Sequence, residues 1–185
     1  MSWIQQIDFM ILEWIQSHLQ GAALDLLMPM ITALGNGGWL FILLALVLLL
    51  SKRYRRQGYA LVVSLLLCLL VGNLFLKPLF ARLRPFEVAG LSELLISPPT
   101  DYSFPSGHTM ASFACAGVFW HYRRDFGRWS VVLLLLAALI GFSRLYLYVH
   151  FPTDVLCGAL LGLVFATLAV HLCDRAGAYR MQKSR

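Results

Sequence analysis

Tyr102-Ser103-Phe104-Pro105-Ser106-Gly107-His108-Thr109 is a polar turn set between long apolar runs. A Ser behind a Pro and ahead of Gly-His, followed at once by an apolar run, predicts a helix N-terminus with Ser106 as its cap. The first turn of a helix has unpaired N–H donors and a partial positive charge, so this end is a ready anion site with His108 inside it. An ordinary capped helix with a surface histidine reads the same way. The residues that meet the turn decide between the two.

The runs around it set the fold class. The 185 residues are 59% hydrophobic and 13% charged, against about 25% charged in a soluble domain, and the mean hydropathy is +0.73. The expectation is an all-α integral membrane bundle forming one domain over 1–185. The first residues lack a basic start and a cleavage site, so the whole chain is expected to be mature.

Residues 3–19 place Trp3, Ile4, Ile7, Met10, Ile11, Trp14 and Ile15 on one face, opposite Gln5, Gln6, Glu13, Gln16 and Ser17. That pattern predicts an amphipathic helix in the interface or at the bundle edge. Residues 22–34 are apolar but short and carry Asp25 and Pro29, so 3–34 is either one bent span or an interfacial helix and a short span. Gly35-Asn36-Gly37-Gly38 reads as a turn. Apolar runs follow at 39–50, 58–76, 109–120, 129–142 and 155–173. With 3–34 counted once, the expectation is about six spans, the shorter ones borrowing flanking residues to reach the roughly 20 that a bilayer needs.

Lys52, Arg53, Arg55 and Arg56, then Arg123, Arg124 and Arg128, then Arg175, Arg180, Lys183 and Arg185 fall at one end of such a bundle, which is therefore expected to be cytoplasmic. Lys77, Arg82, Arg84 and Arg144 remain, at the opposite end, and need another reason. That end also receives Ser106, His108, His150 and Asp154. The loop 85–104 joins them with Glu87, Glu93 and Pro98-Pro99. Its length is that of a lid or binding loop, although a disordered connector would also fit.

Guanidinium groups grip phosphate oxygens in pairs and Lys adds a point charge, so Lys77, Arg84 and Arg144 beside a helix N-terminus make a phosphate cradle. For Arg82 the reading is a structural pairing with a carboxylate or a contact with a lipid headgroup. Pro152 places His150 just before the last helix and Asp154 in its first turn. The carboxylate can then hold one imidazole nitrogen and leave the other free to attack. His108 can protonate the leaving group. His18, His121 and His171 lack such company and read as interfacial or structural.

Cys68, Cys115, Cys157 and Cys173 sit singly in apolar runs, so neither disulfide nor zinc is expected. A metal on the two histidines and Asp154 would be repelled by the cations, and no cofactor is expected. The net charge of +6 lies in loops and cradle, which argues against nucleic acid.

Lys77 with six residues before Arg84-Pro85, then Pro105-Ser106-Gly107-His108, then Ser143-Arg144 with five residues before His150 and three more before Asp154, resembles the tripartite signature of the type 2 phosphatidic acid phosphatase superfamily. The signature region is 77–154. A PSGH alone is weak; the three pieces in order are specific. The resemblance implies a metal-independent phosphatase working through a phosphohistidine. In it His150 is the nucleophile, Asp154 its orienting partner and His108 the general acid, while Lys77, Arg84, Ser106, Gly107 and Arg144 bind the phosphate. Soluble vanadium haloperoxidases have a similar signature, but the apolar runs argue against that use. Membrane members include phosphatases of undecaprenyl diphosphate, phosphatidylglycerophosphate and lipid A. The expected partners are a lipid phosphate and the bilayer, with no obligate protein partner. Undecaprenyl diphosphate is the expected substrate, on the extracytoplasmic face of the cell membrane, its charge suiting Lys77, Arg84 and Arg144 flanked by one further cation, Arg82. Phosphatidylglycerophosphate or a broad range of lipid phosphates is the alternative. A non-catalytic lipid or anion carrier is the alternative from another class.

Overall fold

The computed structural model describes the backbone of residues 3–183 and the side chains of residues 3–176. Arg180, Lys183 and Arg185 of the basic tail lie outside the described side chains. Among the described residues the fold is all-helical. The helices are α1 (Trp3–Leu19), α2 (Ala22–Ala33), α3 (Trp39–Leu50), α4 (Arg55–Leu67), α5 (Lys77–Phe80), α6 (Pro85–Ala89), α7 (Gly107–His121), α8 (Arg123–Phe126), α9 (Arg128–Tyr146) and α10 (Pro152–Lys183).

By length and composition three helical runs can cross a membrane, Arg55–Ala89, Arg128–Tyr146 and Pro152–Ala176. Ala22–Ala33 with Asn36–Leu50 makes a fourth if that bent pair is one span. The expectation of about six also counted the run 109–120, whose helix α7 has 15 residues and is shorter than these runs, and it took 3–34 and 39–50 as separate spans across the glycine turn. Gly37 and Gly38 adopt left-handed φ values of 58° and 70°, yet the chain bends there by only 41° and does not reverse. Trp39 Nε1 donates across the break to Ala33 O at 2.9 Å, which straps the two halves together across the bend.

α2 therefore descends beside α9. Asp25 meets the Tyr146 hydroxyl, Thr32 meets Arg144, and Gly35 lies against Ile140 and His108. Two polar side chains of α1 reach the same end of the bundle: Asp8 meets Arg82 and Thr153, and Gln16 meets Tyr146 O. Its Asp8, Leu12 and Ile15 are buried while Trp3, Met10 and Trp14 are exposed. At the far end Arg56 pairs with Asp174 at 2.5 Å, and Gln57 bonds Asp125 at 2.9 Å.

The site end is set by the packing of α7 on α10. A Cβ on Gly162 would stand 2.4 Å from Met110 O, and one on Gly158 would stand 2.8 Å from Ser106 O, so only glycine lets the two backbones approach so closely. The approach lets Ser106 N donate to Asp154 O at 3.1 Å. Between α4 and α5, Cys68–Leu76 is wound as a π-helix, a widened turn frequent at functional sites.

Candidate active site

Ser106 caps α7 as its sequence predicts, its Oγ accepting from Thr109 N. Pro152 opens α10, with Asp154 in its first turn and His150 outside the helix. Lys77, Arg84, Gly107, His108, Arg144 and His150 line one cavity of about 850 Å³. Ser106 and Asp154 are fully buried. All eight expected site residues thus lie at one end, brought there from α5, α7, α9, α10 and the loops between them.

The cradle already holds an anion supplied by the chain. Asp101 accepts from Lys77 Nζ through one carboxylate oxygen and from Arg84 Nη2 through the other at 2.6 Å. Partial burial would raise the Asp101 pKa, but the hydrogen bond and charge of Lys77 and the nearby Arg84 outweigh that and hold it at about 2. Two carboxylate oxygens seated between an ammonium and a guanidinium mark where two phosphate oxygens can sit. Arg144, also buried, donates from Nη1 to Thr32 Oγ1 at 2.6 Å, and its Nε has no partner.

Arg84 is buried and ties the site together. Its Nη1 donates to Val149 O at 2.6 Å and stands 3.2 Å from His150 Nε2. A guanidinium only donates, so Nε2 must be the accepting nitrogen and the imidazole proton sits on Nδ1. Burial lowers the His150 pKa well below its ordinary value, and Arg84, Arg144 and Lys77 push it further down. The neutral ring so defined presents a lone pair to the cradle.

On its other side Nδ1 lies 3.4 Å from Ser103 Oγ and 3.7 Å from Asp154 Oδ2. Ser103 Oγ donates to that same Oδ2 at 2.5 Å. The Asp154–His150 link expected from the sequence is therefore made largely through a buried serine. Phe151 N also donates to Oδ2, at 2.9 Å.

Arg82 settles on the structural pairing. It donates to Asp154 Oδ1 at 2.5 Å and Asp8 Oδ2 at 2.7 Å, and its guanidinium covers the Phe151 ring at 4.0 Å. It is turned to the rear of Asp154 and does not line the cavity. Gly107 has a steric reason to lack a side chain, since a Cβ there would stand 2.9 Å from Asn73 Oδ1. That oxygen, delivered by the π-helix, is buried and without a hydrogen-bond partner.

His18, His121 and His171 lie away from the cavity; His18 stacks on Trp14, and His121 meets Thr167. Among the described residues no three His, Cys, Asp or Glu side chains gather as a metal site. Sequence reading singled out none of Ser103, Asp101, Asn36 and Asp8 for the site. The available signals were a polar residue among glycines for Asn36 and, for Asp8, an acid one residue from Ile7 and four from Leu12 on the apolar side of an amphipathic helix.

A family model described as the PAP2 superfamily matches residues 57–178. An undecaprenyl-diphosphatase of Sulfolobus acidocaldarius is 34% identical over 84% of this chain and 74% of its own length. Phosphatidylglycerophosphatase B of Bacillus subtilis is 28% identical over 86% of this chain and 80% of its own. The crystal structure of Aquifex aeolicus LpxE superposes with a TM-score of 0.76 at 28% identity, covering 89% of this chain and 95% of that one. With its three motifs meeting at one site and the family model spanning all but the first of the long helical passes, the chain belongs to the PAP2 superfamily and is a membrane hydrolase of it.

Proposed function

We propose that the protein hydrolyses a lipid diphosphate, undecaprenyl diphosphate, through a phosphohistidine on His150. The observation that carries this is the accepting Nε2 of His150 beside a cation pair already filled by the Asp101 carboxylate. An incoming phosphate displaces Asp101 and takes the donors of Lys77, Arg84 and Arg144 together with the N-terminus of α7 at Ser106 and Gly107. Arg84 then bonds a phosphate oxygen, which frees Nε2.

Nε2 attacks phosphorus, so a P–N bond forms as the P–O bond to the lipid breaks. His108 gives its proton to the leaving oxygen. Asp154, through Ser103, holds the Nδ1–H and stabilises the positive ring as it forms. Water, deprotonated by His108, then attacks phosphorus. Inorganic phosphate leaves and His150 regains its lone pair. No step calls for a metal.

The cavity runs from this cradle between α3 and α4, where Ile42, Leu46, Val62, Leu66 and Leu69 line it, and an isoprenoid tail can lie there. The diphosphate reading draws support from the relative of that specificity at 34% identity, against 28% for the phosphatidylglycerophosphatase, which is the second reading. Arg82 does not serve as an extra cation for the second phosphate, since Asp8 and Asp154 occupy it.

In the bilayer we read five crossings: the α2–α3 pair, the run from α4 to α5, α7, α9 and α10. α1 lies along the site end in place of a sixth. The whole chain acts as one domain, and 85–104 is its lid, tied to the cradle by Asp101. The basic loops face the cytoplasm, so the site opens outward in the cell membrane. A membrane-impermeant thiol reagent applied to intact cells is expected to label Ser92→Cys and to miss Lys52→Cys; the opposite pattern would invert the orientation.

The substrate test is phosphate release by the purified protein from both lipids in one detergent. kcat/KM is expected to favour undecaprenyl diphosphate by about tenfold or more and to be unchanged by EDTA. A tenfold preference for phosphatidylglycerophosphate would replace the substrate, and loss in EDTA restored by Mg²⁺ would replace the mechanism.

A further inference from the structure

We propose that Asn36, in the break between α2 and α3, is the positioning residue of His108. The inference rests on the reading of His108 as the general acid. Asn36 Oδ1 lies 2.8 Å from His108 Nε2, and an amide oxygen only accepts, so Nε2 carries a proton and Nδ1 is the nitrogen left to serve the leaving oxygen.

The break supplies the rest of the seat. A Cβ on Gly35 would stand 2.7 Å from His108 Cδ2, so the bare backbone of Gly35 is what the imidazole rests on. Gly37 and Gly38 hold left-handed φ values, and the Trp39 to Ala33 bond spans the gap. Gly35 to Gly38 and His108 all line the cavity. A span broken at this depth, with the Asn36 side chain of the break turned to the histidine, gives the second imidazole a holder as Asp154 and Ser103 do the first.

The two holders differ in charge, and the difference suits the two roles. A carboxylate behind His150 favours the positive ring that forms when Nε2 is phosphorylated. A neutral amide behind His108 fixes the ring without stabilising its cation, so the proton is given up more readily. With Nε2–H kept on Asn36, the acid is the doubly protonated ring: Nδ1 takes up a proton as the anionic phosphate binds beside it, passes it to the leaving oxygen as the P–O bond breaks and leaves His108 neutral. This matters most when that oxygen would otherwise leave as an alkoxide.

That dependence provides the test. Phosphatidic acid and p-nitrophenyl phosphate are both monoesters, but one releases an alcohol and the other a stable phenolate. With purified full-length protein, His108→Ala is expected to lose about 10²-fold or more in kcat on phosphatidic acid and far less on the nitrophenyl ester. Asn36→Ala should lose about tenfold in kcat on phosphatidic acid with KM within about twofold, and less than about twofold on the nitrophenyl ester. Asn36→Asp should repeat the selective loss, because a carboxylate holds the proton back. Gly35→Ala, which pushes the ring and leaves Asn36 in place, is expected to show the same split. Equal losses on both esters for the Asn36 and Gly35 variants, with His108→Ala still selective, would overturn the inference alone. Equal losses for His108→Ala would overturn the acid assignment on which it rests.

Discussion

His150→Ala is expected to release no phosphate above background from any lipid, while the protein stays folded and in the membrane. The ring presents an accepting nitrogen to Arg84 in the cradle, so its loss removes the atom that bonds phosphorus. Asp154→Asn should lose about two orders of magnitude or more in kcat with KM little changed, as when a triad histidine loses the group that orients it. The structure sharpens this expectation. Ser103 Oγ sits between the ring and the carboxylate, so Ser103→Ala should cost part of that loss, and in an Asp154→Asn background it should cost little more. Steady-state kinetics of the single and double variants check it. Full additivity would mean that serine and aspartate act separately.

Arg84→Lys is expected to lose about 10²- to 10³-fold in kcat/KM. Each hydrogen bond to a charged group contributes about 1.5–3 kcal/mol, and every 1.4 kcal/mol is about tenfold. Lys keeps the charge but cannot hold Asp101 O, Val149 O and a phosphate oxygen at once as the guanidinium fork does. Inhibition by inorganic phosphate should weaken in parallel, because the same donors hold product and substrate. A loss under about tenfold would mean that Arg84 only braces the loop through Asp101 and Val149.

Much of the site was legible in the sequence because its parts lie in short motifs at element ends. Pro before Ser106 and at 152 marks where α7 and α10 begin, and the Lys77, Arg84 and Arg144 cations stand out against a charge bias that should exclude them. The glycine turn was harder. Gly35-Asn36-Gly37-Gly38 carries the composition of a chain reversal, and only tertiary packing, with Gly35 against His108 and Trp39 strapped to Ala33, makes it a 41° bend. One of the expected spans rested on that reversal. Asp8 and Asn36 reach their partners over 145 and 72 residues of chain, and no local period encodes such a meeting. For Arg82 the sequence left a structural pairing, a headgroup contact and a place beside the substrate all open, because Asp8, one of its two carboxylate partners, was not legible.

The central claim is the covalent phosphate on His150. Mixing enzyme with substrate labelled in the terminal phosphate and quenching in alkali within one turnover is expected to leave label on protein that is stable to base and released by acid, with mass spectrometry placing it on His150. Asp154→Asn should carry less and His150→Ala none. Protein that turns over substrate yet carries no label on His150, at any quench time, would contradict the account.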